Sequence, residues 1–184
     1  MKIENRLYEA KDLKRILGLT PETIYLWLRT YHIFEPAERA RGVRGKNKYS
    51  LLDLVKLALI ANLQSFGMHL TAVREIFLQL DKASNGESLW NRIVNERDRF
   101  DHHGTVLIIA RLRLVEFSPM GRIITHEPQF LVSLLSYDEA AKQLKMNVKA
   151  PCPRLIVNVN MIVKFVEMHA HEKLGQRNRK KMTG

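Results

Sequence analysis

The chain has 184 residues, 46% of them apolar, which suits one ordinary domain or two small ones and argues against wholesale disorder. Thirty Lys and Arg against 19 Asp and Glu leave a formal net charge of +11, a surplus that favours anionic partners, with nucleic acid ahead of a membrane surface. Cys152 is the single cysteine, so a disulfide framework within the chain is excluded and a Cys-based zinc site nearly so.

The first segment, "MKIENRLYEAKDLKRIL", is too charged to read as a signal peptide. No apolar run reaches the length of a transmembrane helix. The expectation is a reducing, soluble compartment.

Over residues 8–17, Leu13, Ile16 and Leu17 share one face, with Lys11, Lys14 and Arg15 off it. This spacing predicts a short amphipathic helix. Gly18 follows, where a helix end favours a residue that tolerates positive φ. Thr20-Pro21 then supplies an N-cap and a first helical residue. Helix, tight turn and capped helix is the layout of a helix-turn-helix. The second helix is predicted over residues 21–31. Its period places Ile24, Trp27, Leu28 and Tyr31 on one side, and Glu22, Tyr25, Leu26 and Arg29 on the other. The first set suits a core. The second is too aromatic for a merely solvated face.

Residues 35–50, "EPAERARGVRGKNKYS", carry Arg39, Arg41, Arg44, Lys46 and Lys48 among Gly42, Gly45 and Asn47. A basic loop or hairpin fits. Ser50 with Asp53 resembles a capping box and opens a helix that ends at Gly67. Another short helix is predicted over residues 70–80. "DKASNGES", residues 81–88, reads as a linker.

After it, residues 89–100 are expected to form a helix and residues 105–117 a strand. "SPMG" is a turn, "RIITH" a returning strand, and "FLVSLL" stays open between strand and helix. A short helix is expected over 137–144 and a brief strand over 155–157. Asn158 or Asn160 then caps a helix whose stripe is Ile162, Val163, Val166, Ala170 and Leu174. "GQRNRKKMTG" reads as a frayed tail. His102 and His103, and His169 and His171, lack the spacing of a metal site on a helix face. No nucleophile–base pair or phosphate-cradling glycine loop stands out. No enzyme activity and no cofactor are expected.

"LGLTPETI" (17–24), "NKYSLLDLVKLALI" (47–60) and "SFGMHLTAVREI" (65–76) together resemble the MerR family of bacterial transcription regulators. The resemblance covers about residues 5–80. It implies a winged helix-turn-helix with the basic loop as the wing, and dimers that bind pseudo-palindromic promoter DNA. The family commonly places Arg where this chain has Tyr25, and often an Arg where it has Asn47. It also continues into a long helix that pairs with a dimer mate, whereas here that helix is expected to stop near Gly104.

The expected fold is therefore an N-terminal all-α winged helix-turn-helix (1–80), a linker (81–88), a small C-terminal α+β domain for dimerisation, effector or partner binding (89–175), and a basic flexible tail (176–184). The expected function is sequence-specific transcription regulation by a homodimer on double-stranded DNA, at the cytoplasmic nucleoid, with RNA polymerase or another protein as a further partner. The expected DNA contacts are Thr20, Thr23, Tyr25, Arg29, Arg41, Arg44, Lys46, Asn47, Lys48 and Tyr49. Two rival readings are an excisionase-like or nucleoid-type architectural DNA-binding factor and a protein-interaction module.

Overall fold

The computed structural model describes residues 6–40, 45–84, 87–88, 90, 105–112, 115–117, 123–125, 129–136, 139–140, 142 and 154–182. The chain forms two compact units, residues 1–77 with 161–184 and residues 78–160.

In the first unit, α1 spans Ala10–Leu17 and buries Leu13 and Ile16. It starts two residues later than its sequence pattern suggests. Tyr8 is extended instead, and exchanges both backbone hydrogen bonds with Tyr49, at 2.8 and 2.9 Å. The Asp12 carboxylate accepts the Glu9 N–H at 3.0 Å and caps the helix start. Gly18 closes α1 at φ 71°, a left-handed conformation that costs a side-chain-bearing residue more than glycine.

Thr20 caps α2, which runs α-helically over Pro21–Tyr25 and widens to a π-helical turn over Leu26–Thr30. There the Tyr31 N–H reaches the Leu26 carbonyl at 3.1 Å. His32 ends it at φ 48°. Ile24, Trp27 and Leu28 are buried as their period requires. Tyr31 is only half-buried, its ring edge-on to His69 with centroids 6.3 Å apart.

The chain then continues through the buried Ile33 and Phe34, where the Ile33 N–H returns to the Trp27 carbonyl at 3.1 Å. Glu38 and Lys48 pair across the loop, with N–H···O bonds of 3.0 and 2.9 Å. Helix α3 spans Leu51–Ser65 behind the Ser50/Asp53 capping box. It ends at Gly67, φ 78°, where the Met68 N–H returns to the Leu63 carbonyl. Helix α4 spans Leu70–Asp81 and buries Val73, Ile76, Phe77 and Leu80. Phe77 stacks on Phe34 at 6.3 Å.

Asp53 is the one buried charged residue among those described, 5% exposed. Its Oδ2 accepts the Ser50 N–H at 2.8 Å and the Ala37 N–H at 2.9 Å. One carboxylate thus caps α3 and anchors the basic loop beside it.

The second unit contains two short strands, β1 (Ala83–Ser84) and β2 (Glu87–Ser88), paired antiparallel where the sequence reads as a linker. A three-stranded antiparallel sheet follows, ordered β6-β3-β7, from β3 (Thr105–Leu112), β6 (Gln129–Ser136) and β7 (Arg154–Asn158). Strand β3 is central, and Val106, Leu107, Ile108 and Ile109 are all buried, so both its faces are covered. Val106 and Ile108 pack with Ala140 and Leu135. Strands β4 (Val115–Phe117) and β5 (Ile123–Thr125) form a separate pair. The strand expected over 105–117 is therefore two strands, and the undecided "FLVSLL" is β6.

Helix α5 spans Val159–Met182 and starts directly after Asn158. It buries Ile162, Val163, Val166 and Ala170, four of the five residues of the stripe read from the sequence, while Met161, Phe165 and Met168 are exposed. It also runs through most of the segment that reads as a frayed tail. Gln, Arg, Lys and Met after Gly175 are good helix formers and offset that one glycine. The helix expected over 89–100 and the "SPMG" turn lie largely outside the described residues.

Candidate nucleic-acid interface

The outer face of α2 follows from its inner one. With Ile24, Trp27 and Leu28 committed to the core, Tyr25, Leu26 and Arg29 must point outward. Tyr25 is 64% exposed and Leu26 42%. A phenol and a leucine left in water on the face that also carries an exposed Arg29 make a surface suited to contact.

At the N-terminal end of α2, the Thr20 hydroxyl accepts the Thr23 N–H at 3.3 Å, and the two hydroxyls lie 3.1 Å apart. Both are exposed polar groups beside a helix N-terminus, a combination suited to phosphate. Glu22 occupies the same turn. Its own backbone N–H, then the Thr20 hydroxyl, hold its carboxyl below the usual carboxylate range.

The loop lies beside this face. A cleft of about 310 Å³ is lined by residues of three segments, among them Glu9 and Lys11, Tyr25 and Arg29, and Lys46 and Asn47. A smaller one, about 130 Å³, lies where Arg29 and Asn47 meet His32, Glu35 and Arg39. Arg29 and Asn47 thus line both hollows.

The expected contact residues divide by position. Tyr25, Arg29, Lys46, Asn47 and Tyr49 converge on the larger cleft. Tyr49 is buried, 3% exposed, and its backbone serves the Tyr8 pairing, so it forms wall rather than surface. Burial also pushes its hydroxyl pKa up. Asn47 is half-buried, and its Oδ1 accepts the Ala40 N–H at 2.8 Å, which ties the loop across itself. Lys48 is exposed and ion-paired to Glu38 at 2.8 Å, and that hydrogen bond, then the attraction, raise its pKa. Arg41 and Arg44 lie outside the described residues.

Residues 8–80 match the family model described as MerR HTH family regulatory protein. The chain carries a MerR-family helix-turn-helix domain. That family is one of DNA-binding regulators. The match covers less than half of the chain and ends within the last turn of α4, so all that follows residue 80 stays outside it. No curated protein matches the chain. Among the described residues, no helix is long and apolar enough to cross a membrane.

The sequence reading missed Glu9 and Lys11 as part of the MerR-type domain's outer surface. The pairing of Glu9 with Lys46 spans a long stretch of chain, so no local pattern signals it. The one available signal is their position at the start of α1, next to a cap.

Proposed function

We propose that this chain is a sequence-specific DNA-binding transcription regulator that reads DNA with the outer face of α2. The observation that carries the proposal is the convergence of exposed Tyr25 and Arg29 with Lys46 and Asn47 around one cleft, on a MerR-type domain.

In this reading α2 enters the major groove. Arg29 donates to a base edge or a phosphate, and Tyr25 offers one hydroxyl and an apolar ring suited to a thymine methyl. Thr20 and Thr23 donate to the backbone at the helix N-terminus. The loop closed by the Glu38–Lys48 pairing acts as the wing, with Arg41, Arg44, Lys46 and Lys48 neutralising phosphates. The chain acts as a homodimer on two half-sites, at the nucleoid in the cytoplasm. The second unit supplies the dimer contact, an effector response or a docking surface for polymerase or another protein.

The test is selection of bound duplexes from a random pool by the full-length chain. The expected product is an enriched motif with two-fold symmetry and a half-site spacing near a whole number of helical turns. A pool that stays random after repeated selection refutes sequence-specific recognition. An enriched motif without symmetry refutes the homodimer.

A further inference from the structure

The cations beside α2 are held by carboxylates of the same chain. Glu9 Oε2 lies 2.9 Å from Lys11 Nζ and 3.7 Å from Lys46 Nζ. Glu38 Oε2 lies 2.8 Å from Lys48 Nζ, on the rung where the two backbones also pair. Arg39 pairs with Glu35. These groups are substantially solvent-exposed. Exposed ion pairs of this kind contribute little to stability, so bracing the fold is a weak account of them.

Their position says more. Glu9 lines the same cleft as Tyr25, Arg29 and Lys46, and so sets a negative charge into a surface otherwise rich in cations. Hydrogen bonding and attraction from Lys11, then attraction from Lys46, hold that carboxyl below the usual carboxylate range. A duplex approaching α2 brings its phosphates to the groups that Glu9 and Glu38 already occupy.

We infer that Glu9 and Glu38 are built-in competitors of the DNA phosphate, pairing with Lys11, Lys46 and Lys48 in the free protein and thereby limiting sequence-independent affinity. The inference rests on the DNA-binding reading. Binding exchanges a carboxylate for a phosphate at each lysine. The carboxylate freed at each lysine takes up a cation from solution as the phosphate sheds one, so the salt dependence is shallower than the number of basic residues implies. Since the contact is to phosphate, the effect is the same on every sequence.

The test compares wild type, Glu9→Gln, Glu38→Gln and the double variant, as full-length chains, on a fluorescent duplex of random sequence. Anisotropy titrations run from about 50 to about 200 mM potassium chloride. Glutamine keeps the shape and an acceptor oxygen for the Asp12 N–H that the Glu9 side chain caps, and the Asp12 carboxylate still accepts the Glu9 N–H, so α1 stays capped. The double variant is expected to bind about tenfold tighter at the lower salt, with a log–log slope steeper by about one to two. Glu9→Asp, which retains the charge, is expected to keep the wild-type slope. Variants that bind no tighter than a wild type that does bind, or that bind more weakly, overturn the inference and make the carboxylates mere braces of the loop. A wild type that binds no duplex even at the lowest salt overturns the DNA-binding reading, and this inference with it.

Discussion

Replacing Asp53 with Ala removes the acceptor for two backbone donors at once. The Ala37 N–H loses a 2.9 Å bond and the Ser50 N–H a 2.8 Å bond. Hydrogen bonds to a charged group contribute about 1.5–3 kcal/mol each. Ala37 is exposed, and Ser50 stands at a helix N-terminus, so water restores part of the loss and the lower end of the range applies. The expected cost is about 3 kcal/mol for the pair. Asp53→Asn keeps an acceptor oxygen but not the charge, and should cost about half as much. Urea unfolding of the full-length chain, followed by Trp fluorescence, measures both, since Trp27 is buried in the same unit at 2% exposure. The same variants should also bind DNA more weakly, because Ala37 immediately precedes the Glu38–Lys48 rung. A loss below about 1 kcal/mol for Asp53→Ala, the size of an ordinary substitution, would refute the reasoning that one carboxylate serves both the cap and the loop.

The two left-handed residues around α2 should respond in opposite directions to urea. A Cβ at Gly18 would meet nothing within 4 Å, so Gly18→Ala carries only the backbone cost of φ 71°, about 1 kcal/mol. His32→Gly relieves the same strain at φ 48° and should gain up to about 1 kcal/mol; a loss instead would mean that the imidazole makes a contact of its own. Tyr8 is 1% exposed, and its hydroxyl finds no hydrogen-bond partner among the described residues. Tyr8→Phe should therefore leave stability unchanged or raise it by about 1 kcal/mol, and a clear destabilisation would reveal a partner for that hydroxyl.

Local chemistry was legible where a few neighbouring residues decide it. Gly18, Thr20-Pro21 and Ser50/Asp53 mark their helix ends in the sequence, because capping is a contact within one turn. The split of α2 into Ile24, Trp27 and Leu28 inward and Tyr25 and Arg29 outward is likewise a matter of period. The remainder depends on residues distant in the chain. Nothing near Asp53 announces Ala37 as its second partner, and nothing near Tyr8 announces Tyr49. "FLVSLL" could not be assigned because its strand exists through pairing with β3. The linker reading of residues 81–88 takes Asn85-Gly86 as a turn signal; the same dipeptide between short segments is also a hairpin signal, and β1 and β2 pair on either side of it. The widened last turn of α2 has no sequence signature, yet it governs how far Tyr31 turns from the core.

The central claim is that α2 reads bases through Tyr25 and Arg29. Tyr25 is 64% exposed and touches no core, so Tyr25→Ala and Arg29→Ala should leave the urea midpoint unchanged. The most direct measurement is the affinity of wild type and of these two variants for the selected duplex and for a shuffled one, at a single salt concentration. Wild type should prefer the selected duplex by about a thousandfold or more. Each variant should lose about ten- to a hundredfold of that preference, with its affinity for the shuffled duplex changed far less. Equal losses on both duplexes would show that the helix rests only on the backbone, and would contradict the account.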